Sequence, residues 1–281
     1  MDATLRDLKK DILSNFSSSE LQGLERLKKQ LVRQYVNLGK PITKGSVTLS
    51  PSREEIAENL QGKNLLVMCG GGKDSEVVLA GARALQLMIL EEYGTTFELR
   101  VGIGRQPGMI DVYDNLEHAF DALKIKNGPK VDVFFIDGKT TKPYNKNTPI
   151  PENVALLHKE NALINGHIFS GAGRRTFCDE CNKNLAGWIA TGLSYKNGAD
   201  LYMTGDSKKE ITAQIGTAVP EMAHSFGVEL PKRNAHTPTQ HAFALLDAVG
   251  RKHSELVHGS QEKIEERSIN FQNIPDKSRF V

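Results

Sequence analysis

Three consecutive glycines, Gly70-Gly71-Gly72, separate an apolar run, Leu65-Leu66-Val67-Met68, from a segment beginning at Ser75 whose apolar residues recur at helical spacing. The run predicts a short buried strand and the spacing after Ser75 predicts a helix, so the glycines form the turn between them. Glycine suits a backbone that must take positive φ or come close to a ligand. The first amides of a helix are unpaired donors aided by the helix dipole. Such a turn can hold an anion, or it can be the ordinary strand-to-helix turn of an α/β protein. Lys73-Asp74-Ser75, directly after the glycines, favours the anion. Lys73 can offset phosphate charge, Asp74 can cap the helix or reach a metal, and the Ser75 hydroxyl can donate to a phosphate oxygen. The spacing is not that of Walker A, which places four residues between its glycines.

The segments that follow continue the pattern. Residues 76–93 read as a helix ended by Gly94, 97–103 as a second strand, 107–123 as a helix and 131–136 as a third strand closed by Asp137-Gly138. This β-α-β-α-β order implies an α/β fold with a parallel sheet and helices on both faces. Ligands in such sheets sit at the carboxyl ends of the strands. The Cys69-to-Ser75 turn, Gly102-Ile103-Gly104-Arg105 and Ile136-Asp137-Gly138 would share that edge. The stretch 139–151 has no periodicity and reads as a long surface loop, either a simple connection or an active-site flap. Residues 152–164 and 239–253 are helical in pattern, and 198–210 reads as a fourth strand that ends in Gly205-Asp206 and enters a helix.

Ahead of the sheet, two amphipathic helices are expected over 5–13 and 19–38, and Ser52 with Glu55 marks the start of another. The boundaries expected are an N-terminal helical extension over 1–52, the α/β domain over 53–260 and a charged tail over 261–281. The extension carries Arg26, Lys28, Lys29, Arg33 and Lys40 among acidic residues. This reads as a solvated face more readily than as a nucleic-acid patch.

With a formal charge of +2 over 281 residues, the total does not indicate a strongly basic nucleic-acid binder. No apolar run reaches the length of a membrane span and the first residues lack a signal-peptide core, so no membrane is expected as a partner. Three cysteines are too few and too odd a number for a disulfide framework, which fits a reducing cytoplasm. Cys178 and Cys181 form a Cys-x-x-Cys with Arg174 and Arg175 before it and an expected helix, 182–195, after it. Arginines and a helix start both favour thiolate, so the pair is poised for sulfur chemistry or for metal. A zinc site would need two more ligands. His224, His236 and His241 could supply them, although their spacing singles out none. Asp206 can hold a metal or a ribose, or cap the helix that follows. Lys232, Arg233, Asn234 and His236 form a polar run within reach of phosphate or a second substrate.

Gly70 to Ser75 resembles the pyrophosphate-binding loop, Ser-Gly-Gly-x-Asp-Ser, of the PP-loop (N-type) ATP pyrophosphatases, with glycine at 70 where that family usually has serine. The resemblance implies a Rossmann-like, HUP-type sheet and an enzyme that cleaves ATP between the α- and β-phosphates, adenylates a carbonyl oxygen and lets sulfur or nitrogen displace AMP. It assigns ATP to Gly70, Gly71, Gly72, Lys73, Asp74, Ser75, Gly205 and Asp206, with Mg2+ at Asp74 and Asp206. Lys73, Asp74, Cys178 and Cys181 would be the catalytic residues. In pattern the chain is most similar to the tRNA-thiolating members, where a Cys-x-x-Cys precedes a helix, a strand and a Gly-His-x-x-Asp-Asp-like turn. Gly205-Asp206-Ser207 lacks that histidine. The cluster-forming members carry a third cysteine after the pair, which is absent here and points away from an iron–sulfur cluster. The implied function is thiolation of a tRNA base, free nucleobase or related metabolite, with a sulfur donor protein as partner; an oligomer is compatible with the sequence. Amide or amidine formation and ATP binding without chemistry are the alternatives. A tRNA partner would meet Lys28, Lys29 and Arg33 first.

Overall fold

The structure is a computed structural model that describes residues 1–40, 48, 50–105, 110–126, 128–152, 179–230 and 242–251. Nine helices and six strands are found among them. The helices are α1 (Ala3–Leu13), α2 (Ser18–Asn37), α3 (Arg53–Leu60), α4 (Lys73–Tyr93), α5 (Ile110–Ala122), α6 (Asp179–Ser194), α7 (Lys208–Ala213), α8 (Val219–Phe226) and α9 (Leu245–Val249). A π-helical turn, Gln214–Ala218, joins α7 to α8. The strands are β1 (Asn64–Met68), β2 (Glu98–Gly104), β3 (Val131–Asp137), β4 (Thr140–Pro143), β5 (Leu201–Thr204) and β6 (Ala242–Ala244).

These strands form one sheet in the order β4-β3-β2-β1-β5-β6. All neighbours are parallel except β4, which runs antiparallel to β3 with Phe135 opposite Lys142. The fold is therefore α/β and Rossmann-like, as the alternation of strands and helices implies. Strand β1 lies at its centre, with Val67 opposite Val101 on β2 and Met203 on β5.

Successive residues of a strand point to opposite faces, and the core divides accordingly. Leu65, Val67, Val101, Ile103, Phe135, Leu201 and Met203 pack with the buried sides of α1–α5 and α9. On the other face Leu66, Phe134, Ile136 and Tyr202 pack with Ala186, Ile189 and Ala190 of α6 and with Ile211, Ile215, Val219 and Ala223 of the α7–α8 segment. No helix among the described residues is long and apolar enough to cross a membrane.

The N-terminal helices share the first of these cores. Helix α2 opens with a capping box, in which Ser17 N donates to Glu20 Oε2 at 2.8 Å and Glu20 N donates to Ser17 Oγ at 3.4 Å. It buries Leu24, Leu27, Leu31, Val32, Tyr35 and Val36. Tyr35 stacks on Phe97, and its hydroxyl donates to the Asn64 carbonyl at the start of β1. The Ser52 cap over Glu55 is present as the sequence predicts.

Several expectations are corrected. Lys28 is not available to a polyanion, because it is buried between Glu25 and Glu92. Burial opposes its charge, but the hydrogen bonds to those carboxylates outweigh that and hold its pKa above the usual lysine value. Lys40 is likewise paired, with Glu55. Arg26, Lys29 and Arg33 are exposed. The loop expected over 139–151 contains the edge strand β4, and within the helix expected over 239–253 the described residues form strand β6 and the short α9. Neither strand has the apolar alternation that announces one, since β4 is exposed and β6 has only three residues. Expected features over 153–178, 231–241 and 252–281, including Arg174, Arg175, Cys178, Lys232, Arg233, Asn234, His236 and His241, lie outside the described residues.

Because Leu31 is fully buried in the same core as β1, Leu31→Ala should lower the stability of the whole domain by about 2–5 kcal/mol. Chemical denaturation followed by tryptophan emission should show one transition moved to lower denaturant. A separate early transition confined to the helices would contradict a shared core.

Candidate functional site

From β1 the sheet grows through β2 and β3 on one side and through β5 and β6 on the other. The connections leaving β1 and β5 therefore part at their carboxyl ends and leave a crevice, which is where open α/β sheets take ligands. The glycine turn follows β1 and the Gly205-Asp206 turn follows β5.

Cys69 extends β1 by one residue, its amide donating to the Gly102 carbonyl at 2.9 Å. Its side chain is buried, and burial pushes the thiol up to about 12 against a hydrogen bond from the Gly71 amide. Cys69 is thus a packed thiol beneath the turn, not a reactive one. Gly70 N then donates to Ser75 Oγ at 3.1 Å, which folds the turn back onto the helix start. Gly71 takes the left-handed φ of +71°, and Gly72 is the extended N-cap of α4. No side chain caps α4, whereas Asp2, Ser17, Ser52 and Ser207 cap α1, α2, α3 and α7. Asp74, for which the sequence leaves helix capping or metal binding open, lies in the first turn. The 21-residue α4 thus presents the positive end of its dipole just after Gly70 and Gly72, which are exposed, and Gly71, which is buried. Lys73 begins the helix; its side chain lies outside the described part.

The two turns meet. A Cβ placed on Gly205 would stand 3.3 Å from Asp74 Cβ and 3.2 Å from Val78 Cγ2. Asp74 is half-buried with its Oδ1 out of solvent. Asp206 is oriented by its neighbour, Thr204 Oγ1 donating to its Oδ2 at 2.6 Å while accepting from its amide at 3.2 Å. Burial of Tyr202, with the Asp206 charge adding to it, raises the pKa of that phenol. Asp206 does not cap α7, because Ser207 does so in a capping box with Glu210.

Among the described residues no three His, Cys, Asp or Glu side chains gather as a metal site. Mg2+ does not need such a cage, since it binds through one or two carboxylates, water and substrate phosphates. Two carboxylates beside an anion-binding helix start suit that donor set. Without a cation between them, they would repel a polyphosphate.

Helix α6 is described from Asp179 onward, so Cys181 lies on the helix, not ahead of it as expected. The helix descends across the sheet. Trp188 covers Gly104 at the carboxyl end of β2, Gly192 lies against Met68 and Leu66, and Tyr195 stacks on Phe134 beside Arg100. Cys181 is seven residues above Trp188, about 10 Å of helix rise. The backbone of that turn therefore stands beyond the ligand edge. His224 is exposed on α8.

Two residues at the ligand edge are committed to each other. Arg105 Nε donates to Asp137 Oδ1 at 2.7 Å, and Nη2 donates to Oδ2 at 2.5 Å, with both residues buried. The sequence places both at the edge but gives no sign that they pair.

No protein-family profile and no curated protein matches this chain. Among solved structures, an NAD+ synthetase from Burkholderia Pseudomallei aligns over 94% of this chain and 98% of its own at 11% identity, with a TM-score of 0.33. A likeness at that score sets neither fold nor function, and both are read from this chain's own geometry.

The geometry separates the glycines. Gly70 is not at positive φ, and a Cβ there would meet only Ser75 Oγ, at 3.6 Å, so Gly70→Ser should fold with unchanged stability. Gly71→Ala forces an L residue into the left-handed region and should cost about 1–2 kcal/mol. Thermal unfolding of the two variants checks the contrast, and equal midpoints would contradict it.

Proposed function

We propose that this chain is an ATP-dependent, AMP- and pyrophosphate-forming enzyme of the PP-loop kind. The observation that carries the reading is the N-terminus of α4, which has no side-chain cap, is opened by Gly70-Gly71-Gly72 at the point where the sheet changes direction, and carries Asp74 in its first turn against Gly205, the neighbour of Asp206. An uncapped, glycine-lined helix start takes phosphate oxygens on its amides. Ser75 retains a hydroxyl proton to donate, since the Gly70 bond uses only its acceptor side. Asp74 and Asp206 would hold Mg2+, which neutralises phosphate charge and favours departure of pyrophosphate.

In the proposed reaction a carbonyl oxygen of the second substrate attacks the α-phosphorus of ATP, and the bond to the β-phosphate oxygen breaks. The carbon of the resulting adenylate then accepts a nucleophile and AMP leaves with the original oxygen. Sulfur is the proposed nucleophile, supported by the Cys-x-x-Cys sequence and by Cys181 belonging to the helix that rises past the ligand edge. A persulfide on one cysteine would deliver the outer sulfur, and closure of a disulfide with the other would release the product. That cycle needs a sulfur donor to form the persulfide and a reductant to reopen the disulfide. The acceptor is a tRNA base, a free nucleobase or a related metabolite.

Asp74→Ala and Ser75→Ala should each reduce ATP-dependent AMP release by about a hundredfold or more, because both remove groups aimed at the phosphates. Circular dichroism should show the fold retained. Wild-type AMP release in both variants would remove the assignment.

Cys178→Ser and Cys181→Ser separate sulfur transfer from its rivals. Sulfur transfer predicts loss of thiolated product with ATP binding intact in each variant, read by mass spectrometry of the product. Stoichiometric zinc on the purified protein, with both variants unfolding at lower temperature, would assign the pair to a structural site. Full activity in both would favour nitrogen transfer.

A further inference from the structure

Arg105 and Asp137 end neighbouring strands at the ligand edge, and their fork is complete on both sides. The third guanidinium nitrogen, Nη1, donates to the Thr148 carbonyl at 2.7 Å. The guanidinium lies 4.4 Å from the Phe135 ring centroid, and the Arg105 amide donates to the Ile136 carbonyl. A buried ion pair gains little stability over apolar residues of the same volume, because both charges give up water. What a planar, bidentate guanidinium supplies is direction.

That direction falls on residues 138–151. The segment starts where Thr140 Oγ1 donates to the Asp137 carbonyl and β4 pairs with β3. Tyr144 anchors its middle against Phe120 and Phe135, with ring centroids 5.3 and 4.8 Å away. Beyond Tyr144 the chain turns locally, Thr148 N donating to the Asn145 carbonyl, and the Arg105 bond ties that turn to the sheet. The segment hangs from β3, two strands from β1, about 10 Å to the side of the glycine turn. The crevice between β1 and β5 lies on the far side of β1 from it.

We propose that the Arg105–Asp137 pair is a positioning device that seats the turn at residues 145–148 beside the carboxyl ends of β2 and β3, on the acceptor side of the nucleotide. The seating stands on the contacts above. Its assignment to the acceptor side rests on the ATP reading of the Gly70-to-Ser75 turn.

Limited trypsin digestion of the native full-length protein tests the seating through cleavage after Lys146, two residues before Thr148. Arg105→Lys leaves a charge opposite Asp137 but removes the fork and the Thr148 bond. Arg105→Met/Asp137→Leu removes both charges together, so neither is left buried alone. Cleavage after Lys146 should rise at least tenfold in both variants, and equilibrium dialysis should give a Kd for magnesium-ATP within twofold of wild type. Unchanged cleavage after Lys146 would overturn the seating, as would an equal rise after Lys63 at the start of β1, which reports loosening of the whole domain. Faster cleavage with a matching loss of ATP affinity would overturn the acceptor-side assignment. If the wild-type protein fails to bind ATP, the nucleotide reading and that assignment fall together, while the cleavage comparison still decides the seating.

Discussion

Burial of β1 on both faces is the constraint from which the rest of this structure follows. Leu65, Leu66 and Val67 are fully buried, and the strand is hydrogen-bonded on both edges, to β2 and to β5. A strand covered in this way needs a helical layer on each side and a parallel neighbour on each edge, and those needs account for most of the chain. Helices α1, α2 and α4 cover one face, and α6 with the α7–α8 segment covers the other. The same burial leaves one exit for the backbone at Met68. It must turn upward at the sheet edge between two strands whose connections part.

That exit sets the chemistry available. The backbone reverses over Cys69, whose burial keeps it a thiol, and enters α4 with amides instead of side chains at the cap. An anion is the natural complement of that helix start. In the proposed function the carboxylates of Asp74 and Asp206 would oppose a polyphosphate unless a cation joined them, so phosphate and divalent metal are proposed together. Gly205 has no side chain, and the close approach of the two turns depends on that. The buried pair of Arg105 and Asp137 is electrically closed by comparison. Each satisfies the other, so neither competes for phosphate, and the remaining guanidinium nitrogen is spent on shaping the neighbouring segment.

Residue pattern made the inner strands and main helices legible because their burial is nearly uniform along each element. Residues 64–68, 98–104 and 131–137 announce themselves by short runs in which apolar residues predominate, and Ser52 and Gly94 mark helix ends by side-chain oxygen or freedom at positive φ. Strands β4 and β6 escaped notice for the opposite reason. Thr140–Pro143 is exposed at an edge and Ala242–Ala244 is three residues long, so what makes each a strand is the neighbour it pairs with. Lys28 illustrates the same limit for charge. Its sequence neighbours suggest a solvated face, but Glu92, which buries it by pairing, is 64 residues away.

The sequence by itself determined the glycine turn, the helix that follows it and the edge on which the candidate site lies, because each depends on residues adjacent in the chain. Tertiary structure alone decided which glycine carries the strained backbone, that Gly205 abuts Asp74, and that Arg105 closes on Asp137. Pattern can state that a residue is small or charged. Which partner meets it across the sheet edge is fixed only when parallel strands, separated in sequence by whole helices, come into register.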